Sequence, residues 1–459
     1  MSLSGWAGFR GRVTGAMLAA CLLAVILALA GGASRADAAS QIVVRSAAVL
    51  AIACALGMRG SLFTARQLRP AFWMMMALAA LIAAQLTPLP PDLWLSLPGR
   101  AHYAEAATML GQPQPWRPLN LTPDLGWNAL LALLPCAAVL AFVAVARGKE
   151  ARIGPTLVMV VAVSSALLGI AQLAGGPESV LRYYSDTSIG SPTGFFTNRN
   201  HQAMMLACAL PIIAYWATDR EIALDRVKAR RLTAFLSGLV LMLVIAASGS
   251  RAGLVLGVIG ALIAGTIIWP TFRYRQSYMR IAVVAGTMLL IIGVALALYH
   301  FDRLPSVNRL LAVDDDQDMR LKWLGPAMHI IRDFFPWGTG FGSFDSIFRQ
   351  YEPLELLRFT YANQLHNEFV QLVLEAGLPG LVLEAAFAAG YAVQCTRIVR
   401  APASRDRVLA LVGIAVTAML VAGSIFDYPL RTPLLSGVFV LAVSWMLAIG
   451  TGPQRIEQG

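Results

Sequence analysis

Charged residues are scarce in this sequence. They make up 13% of its 459 residues, whereas a soluble globular domain carries about 25%. Hydrophobic residues make up 58% of the chain and recur in runs of roughly 17–20 residues, each long enough to cross a bilayer as a helix. The composition therefore excludes a soluble globule and predicts an all-α polytopic membrane protein.

Several kinds of site are also missing. The five cysteines are scattered and none forms a CxxC pair, so we expect neither a zinc site nor a disulfide framework. The sequence has no Walker motif, so we do not expect the chain itself to use ATP. The net charge of +11 would suit nucleic acid, but the basic residues fall mostly in alternate short loops, which is typical of cytoplasmic loops. No nucleic-acid partner is therefore expected.

The apolar runs predict about twelve transmembrane helices. They are Val13–Gly31, Ile42–Met58, Ala71–Leu86, Gly126–Val145, Gly154–Leu173, His201–Ala217, Leu232–Ala247, Ala252–Trp269, Ile281–Tyr299, Phe369–Cys395, Val408–Phe426 and Leu434–Ile449. The first run also fits a signal peptide, with a cleavage pattern at Ala36-Asp37-Ala38. Proteins with many spans seldom need cleavage, so we prefer an uncleaved helix.

The distribution of Arg and Lys predicts the orientation. Loops after even-numbered spans are rich in these residues, and short loops after odd-numbered spans hold few, so both termini should be cytoplasmic. The outward loops are then Ala33–Gln41, Thr87–Asp124, Gly175–Asn200, Ser248–Arg251, His300–Asn367 and Asp427–Thr432.

We divide the chain into four parts. Residues 1–174 hold about five helices and a Pro-rich outer loop, and residues 175–299 hold the central helices. Residues 300–367 form the large outer loop, and residues 368–459 hold the C-terminal helices and a cytoplasmic tail. The aromatic content of the large loop argues against disorder, and its length suggests a function. Within it, Asp318–Phe334 is expected to be a short helix that Pro326 kinks.

Two arginines are candidates for binding an anion. Arg251 lies between two apolar runs, in the turn Ser248-Gly249-Ser250-Arg251. It is either an anchor that snorkels to the interface or an anion ligand, and the turn offers backbone N–H groups at the start of a helix. Arg320 shares a helix face with Trp323. It is either a solvated loop residue or a second guanidinium, and two such groups would bind a diphosphate without a metal.

His366 ends the large loop and is one of only five histidines. It is either an interfacial cap or, because its neutral form prevails near pH 7, a general base. Glu368 and Glu375 are both candidates to orient its ring, and the spacing does not choose between them.

Other polar residues at the outward ends leave alternatives open. Asn198 and Asn200, which flank Arg199, are either helix caps or ligands of sugar hydroxyls. Asp427 and Arg431 are expected to form a structural ion pair.

A cluster of acidic residues raises the question of a metal. Asp314, Asp315, Asp316 and Asp318 would suit Mg²⁺ with a phosphate, but a plain acidic surface loop is the better explanation. We predict no metal and no cofactor.

Four segments resemble bacterial O-antigen ligases and O-antigen polymerases. In chain order they are Gly194–Asn200, the Ser-Gly-Ser-Arg turn, Arg320-x-x-Trp323 followed by Pro336–Phe344, and His366-Asn367 nine residues before Gly377-Leu378-Pro379-Gly380. All lie at or next to the predicted outer face. The resemblance covers roughly residues 175–433, and the first 150 residues contribute only hydropathy.

The resemblance implies a metal-independent, inverting glycosyltransferase. Such an enzyme moves a glycan from undecaprenyl diphosphate to an acceptor hydroxyl of lipid A–core or a growing polysaccharide, at the periplasmic face of the bacterial inner membrane. By the same resemblance the catalytic residues are Arg251, Arg320 and His366, and the substrate-binding residues are Asn198, Arg199, Asn200, Trp323 and Asn367.

Two alternatives remain beside this ligase assignment. The first is an O-antigen or exopolysaccharide polymerase of the same family, although the histidine signature favours a ligase. The second is a polysaccharide or lipid transporter, which twelve spans would suit. Transport is less favoured because the spans carry few charges, among them Arg45, Glu375 and Glu384, and most polar residues lie outside them.

Overall fold

The computed structural model describes residues 15–59, 65–146, 153–185, 187–218, 224–268, 315–357 and 362–449. The ninth predicted span, Ile281–Tyr299, lies outside these residues, as does Asp314. Eleven of the twelve predicted spans fall on helices within them. In this part of the chain, eight helices are long and apolar enough to cross a membrane, and two apolar helices are shorter. The chain is thus a helical multi-pass protein, while the total of twelve spans stays a prediction.

The described residues up to 268 contain two short strands and eleven α-helices. They are α1 (Gly15–Ala30), α2 (Ser40–Arg59), α3 (Arg69–Leu86), β1 (Pro88–Leu89), α4 (Pro91–Leu95), α5 (Ala101–Met109), β2 (Arg117–Pro118), α6 (Pro123–Leu131), α7 (Leu134–Val145), α8 (Ile153–Ala174), α9 (Arg199–Ala217), α10 (Leu224–Ala247) and α11 (Arg251–Ile268). β1 and β2 pair antiparallel. The rest of the described chain forms α12 (Asp315–Phe334), α13 (Phe344–Tyr351), α14 (Glu368–Arg400), α15 (Arg405–Gly423) and α16 (Pro433–Leu447).

Helix α9 is the centre of the bundle. Nearly all of its side chains are buried, and it packs against α8, α10, α11 and α15. Gly253 of α11 faces Ala203, and Gly260 faces Ala207, so the two helices run parallel in close contact. Small residues permit this close approach of two backbones. Helices α9 and α11 therefore begin at the same end of the bundle, which we call the site end.

Two long loops pack on each other at the site end. The Asn120 side chain donates to the Phe341 carbonyl at 2.9 Å, and the Leu121 N–H donates to the Thr339 carbonyl at 3.0 Å. Arg100 is buried between the rings of Trp94 and Phe334. With α12 and α13 these segments form a loop domain that has its own apolar core.

Other loops that were predicted to face outward also meet at this end. The Thr197 N–H donates to the Gly32 carbonyl at 3.3 Å, and the Leu434 N–H donates to the Gly31 carbonyl at 2.9 Å. Their common location agrees with their assignment to one side of the membrane. The assignment of that side to the periplasm stays a prediction.

Helix α14 is 33 residues long and is interrupted at Gly377, where φ is +60° and ψ is −143°. A Cβ atom at this position would collide with the Pro336 carbonyl, so only glycine fits. The Gly340 N–H donates to the Glu375 carbonyl at 2.8 Å, and the Leu378 N–H donates to the Pro336 carbonyl at 2.8 Å. The break thus brings the loop around Gly340 against the first two turns of α14.

Candidate functional site

The turn between α15 and α16, residues 424–432, joins three segments of the chain. The Glu368 N–H at the start of α14 donates to the Ser424 carbonyl at 2.9 Å. Arg320 Nη1 donates to the Phe426 carbonyl at 3.0 Å. Asn200 Nδ2 at the start of α9 donates to Asp427 Oδ2 at 2.7 Å. Segments that are distant in sequence therefore meet at this turn.

His366 has a left-handed backbone conformation, with φ at +60°. This conformation is uncommon for residues other than glycine and often marks a functional site. Its Nδ1 lies 2.9 Å from the Gln364 carbonyl. Because a carbonyl oxygen only accepts, Nδ1 carries the proton, and Nε2 is the nitrogen of the neutral ring that can accept one.

Neither glutamate that was considered for orienting this ring contacts it by hydrogen bond in the described structure. The Glu368 carboxylate instead accepts from the Ser424 hydroxyl. The Glu375 carboxylate is bound by Gln371 and Arg431. The backbone carbonyl of Gln364 fills the orienting role.

Two aromatic rings flank the His366 imidazole. The Trp323 ring centroid lies 5.8 Å away at an interplanar angle of 37°, and the Tyr428 centroid lies 4.8 Å away at 70°. The Trp323 Nε1–H is buried and has no hydrogen-bond partner among the described residues. A buried donor of this kind normally has a partner, so this group is suited to bind a ligand.

The surroundings of His366 keep its ring neutral. The side chain retains some accessible surface, but it lies deep enough that loss of hydration lowers its pKa to about 4. Loss of hydration is the largest contribution to this value. The positive charge of Arg320 also lowers the pKa, and the negative charge of Asp427 opposes both effects. At neutral pH the imidazole is therefore uncharged.

The two arginines predicted to bind an anion both lie at the site end. Arg320 is half-buried in α12, one turn before Trp323. Arg251 is half-buried at the first position of α11. In the turn before it, the Ser250 N–H donates to the Ser248 hydroxyl at 3.2 Å, so this N–H group already has an internal partner.

The predicted substrate-binding asparagines have structural partners. Asn198 caps α9 by accepting from the Asn200 N–H at 2.8 Å, and Asn367 caps α14 by accepting from the Val370 N–H at 3.1 Å. The Arg199 N–H donates to the Ser188 hydroxyl at 3.3 Å. Roles of these residues in sugar binding stay predictions.

Sequence reasoning missed a buried histidine–aspartate contact near His366. His201 Nε2 lies 3.3 Å from Asp427 Oδ1, and the two side chains are 0% and 1% exposed. The two atoms are close, but their geometry is not that of an aligned hydrogen bond. Burial would raise the pKa of Asp427, but His201, with help from His366 and Arg320, holds it well below its usual range.

The expected pair between Asp427 and Arg431 does not form. Arg431 instead lies 3.3 Å from the buried Glu375 carboxylate, because the 3₁₀ turn Pro429–Arg431 directs it to α14. Tyr428 was not predicted as a site residue either, although its ring contacts the imidazoles of both His366 and His201. The only sequence signal for this turn was its polarity between two apolar runs.

A cavity of about 1000 Å³ lies on the other side of the same turn. Gln364, Glu368 and Ser424 line it at the site end, next to His366 in the chain. Within the described ranges, no group of three or more His, Cys, Asp or Glu side chains is arranged to hold a metal ion. The geometry around His366 therefore combines a neutral imidazole, the Arg320 guanidinium, aromatic rings and an adjoining cavity, while Arg251 lies at the same end of the bundle.

Comparison with protein families supports the resemblance found in the sequence. Residues 233–384 match the family model described as O-antigen ligase. The match includes Arg251, Arg320, Trp323 and His366, and it ends before Asp427. A search among curated proteins finds no match.

The matched segment and the helical spans agree on one class of protein. The O-antigen ligase family implies ligase-type or polymerase-type reactions in O-antigen processing. The match therefore suggests a glycosyltransferase-like enzyme that acts on lipid-linked glycans in a membrane. Residues 233–384 are therefore similar to an O-antigen ligase domain, and this match together with the apolar helices suggests a multi-pass bacterial membrane protein.

Proposed function

We propose that this protein transfers a glycan from undecaprenyl diphosphate to an acceptor hydroxyl of lipid A–core or a growing polysaccharide. The observation that carries the proposal is the His366 imidazole, which is neutral and has Nδ1 bonded to a carbonyl, beside Arg320 and Trp323. The reaction takes place at the periplasmic face of the inner membrane, and both termini are cytoplasmic. The gathering of the predicted outward loops at the site end supports this orientation.

In this mechanism His366 Nε2 takes the proton of the acceptor hydroxyl. The acceptor oxygen attacks the anomeric carbon of the donor sugar from the side opposite the diphosphate, which inverts the configuration. The bond between that carbon and the diphosphate oxygen breaks, and its electron pair leaves with the diphosphate. Arg251 and Arg320 stabilise the negative charge that develops on the leaving group without a metal ion.

Without a bound donor, a pKa near 4 makes His366 a weak base. A bound diphosphate brings negative charge near the imidazole and raises its pKa, because an anion stabilises the imidazolium form. Donor binding therefore prepares the base. Removal of the acceptor proton is therefore favoured when the donor is present.

The flanking residues hold the two sugars. Trp323 offers a ring face and an unpartnered N–H to a sugar, and the rings around His366 help to exclude water, which is the competing acceptor. In this proposal Asn198, Arg199, Asn200 and Asn367 also contribute to substrate binding.

The test uses purified full-length protein in nanodiscs, an undecaprenyl diphosphate-linked glycan, a lipid A–core acceptor and EDTA. We expect the glycan to appear on lipid A–core by mass spectrometry, and His366→Ala to abolish it. Lengthening of the donor glycan without use of lipid A–core would identify a polymerase. Normal product from His366→Ala would overturn the role of His366 as the base.

A further inference from the structure

Five large apolar side chains are exposed on two segments at the site end that the proposed mechanism does not use. They are between 41% and 65% exposed, and we call them the apolar rim: Leu93, Leu95, Trp116, Phe335 and Trp337. A group of exposed apolar side chains marks a surface that contacts a protein or a membrane. None of the five belongs to a helix that is long enough to span a bilayer.

A buried stack of side chains connects the two segments of the rim. The Arg100 guanidinium carbon lies 5.4 Å from the Trp94 ring centroid and 5.5 Å from that of Phe334. The guanidinium carbon of Arg117 lies 4.8 Å from the same Trp94 ring, and the Gly338 carbonyl accepts from Arg100 Nη2 at 3.3 Å. Every rim residue directly precedes or follows a member of this stack, so the rim is one connected region.

Helix α14 shows where the membrane boundary lies at the site end. The helix has 33 residues and is about 50 Å long, whereas about 20 residues cross the hydrocarbon core. Arg397 and Arg400 are exposed near its far end and mark the boundary there. Counting back from Arg397 by roughly 20 residues reaches Gly377, where the helix is interrupted. The turns before Gly377 therefore lie outside the hydrocarbon core.

Helix α3 gives the same boundary independently. It begins at Arg69 at the far end and ends at Leu86, so it is about 27 Å long, close to the thickness of the hydrocarbon core. Near its end, Gln85 Nε2 donates to the Glu375 carbonyl at 3.1 Å. Because Glu375 lies two residues before Gly377, the apolar spans of the two helices end at the same level.

Both segments of the rim are attached at this level. The Leu378 N–H donates to the Pro336 carbonyl at 2.8 Å, which places Phe335 and Trp337 beside the break in α14. Strand β1 begins two residues after the end of α3, and its partner β2 begins directly after Trp116. The rim therefore lies at the height of the lipid headgroups, the layer in which tryptophan is enriched.

We propose that the apolar rim inserts into the headgroup layer of the leaflet at the site end and holds the loop domain at a fixed height over the bilayer. The partner is a lipid surface. None of the five side chains is charged, so burial of apolar area drives the contact. Trp323 packs on the core of the loop domain, so the rim also fixes the depth of this residue beside His366.

This inference goes beyond the proposed function, because it concerns lipids of the bilayer and not a substrate. The first segment of the rim also lies outside residues 233–384, which match the family model. The contact therefore belongs to this chain's own outer loop as well as to the matched region.

Fluorescence quenching tests the contact with lipid. A dansyl amino acid is placed at Leu95, Trp116 or Trp337, or at the exposed Glu105 of α5 as the control. The full-length protein is reconstituted in phosphatidylcholine nanodiscs that contain lipids with a nitroxide near the headgroup. We expect these lipids to quench the three rim probes several-fold more than the Glu105 probe, and aqueous iodide to quench in the reverse order. High concentrations of sodium chloride should leave the lipid quenching unchanged, because the rim carries no charge.

A double variant tests whether the rim acts as one anchor. Trp116→Gln with Trp337→Gln should reduce lipid quenching of the Leu95 probe several-fold. Both tryptophans are exposed, so the melting temperature in detergent should not change. Trp73→Gln removes an exposed tryptophan near the opposite end of α3, and this matched control should leave the quenching unchanged. Unchanged quenching in the double variant would show that the two segments bind lipid separately and would overturn the single anchor.

Two further results would overturn the inference. In the first, iodide reaches the rim probes and the nitroxide lipids do not. In the second, the probes are shielded from both quenchers, because another segment or a second copy of the chain covers the rim. Glycan transfer is measured separately, so either result leaves the proposed function standing, and a protein that transfers no glycan can still show the expected quenching.

Discussion

The imidazole of His201 lies 3.3 Å from the carboxylate of Asp427, and neither side chain is more than 1% exposed. The pair joins the start of α9 to the turn after α15. Asn200 adds a second contact to the same carboxylate at 2.7 Å. Since Tyr428 follows Asp427 and contacts His366, this pair determines where one wall of the site lies.

The pair predicts coupled effects on stability. Asp427→Ala and His201→Ala should each lower the melting temperature of the detergent-solubilised protein, with Asp427→Ala costing about 3–5 kcal/mol because it leaves buried polar groups without their partner. The double variant should lose less than the sum of the single variants, by about 1–3 kcal/mol. Simple additivity would show that the two groups do not interact.

The low pKa of His366 predicts the pH dependence of transfer. The base must be unprotonated, and protonation occurs as the pH falls through its pKa. For kcat/KM, which reports the free enzyme, the acid limb due to His366 should therefore lie near pH 4 and not near 6.5. Asp427→Asn removes a charge that raises this pKa, so it should move the limb to lower pH. An acid limb near 6.5 in the unmodified protein would contradict the buried, neutral imidazole.

Because of the backbone conformation of His366, substitutions at this position should affect stability and transfer activity differently. At φ +60°, Asn and Gly are tolerated, whereas a β-branched residue is strained. His366→Asn and His366→Gly should therefore keep the thermal stability, while His366→Val should lose about 1–3 kcal/mol. All three should lose transfer. If His366→Val is as stable as His366→Asn, the conformation carries no strain.

Two glycines of α14 predict opposite effects of the same substitution. Gly377→Ala should destabilise the protein by about 1–3 kcal/mol, because the new Cβ meets the Pro336 carbonyl at positive φ. Gly390→Ala is the control, since its Cβ would enter open space. In a helix interior it should stabilise by about 0.5–1 kcal/mol. Thermal unfolding in one detergent measures both variants, and equal effects would contradict the close contact at Gly377.

Helix positions were predictable because the length of an apolar run directly matches a membrane-spanning helix. The interruptions were not predicted. The run Gly126–Val145 divides into α6 and α7 just before Pro135, which lacks a backbone donor. The break at Gly377 depends on contact with Pro336, 41 positions earlier in the sequence. Hydropathy carries no information about such tertiary contacts.

The site was predictable only where it follows local motifs. Arg320, Trp323 and His366 belong to segments with recognisable spacing, and the structure places them together. The contact between Asn200 and Asp427 joins residues 227 positions apart, so no window of sequence could reveal it. Proximity in sequence suggested Arg431 as the partner of Asp427. Arg431 instead contacts Glu375, because the buried carboxylate of Glu375 requires a partner.

The bonds around the interruption in α14 have a mechanical consequence. The Thr339 and Gly340 N–H groups hold the carbonyls of Leu374 and Glu375, so the first two turns of this helix are anchored to the loop domain. Those turns carry Glu368, follow directly from His366, and form the upper lining of the cavity. His366 and this part of the cavity wall are therefore tied to the loop domain through the same backbone hydrogen bonds, so a displacement of the loop domain would move both together.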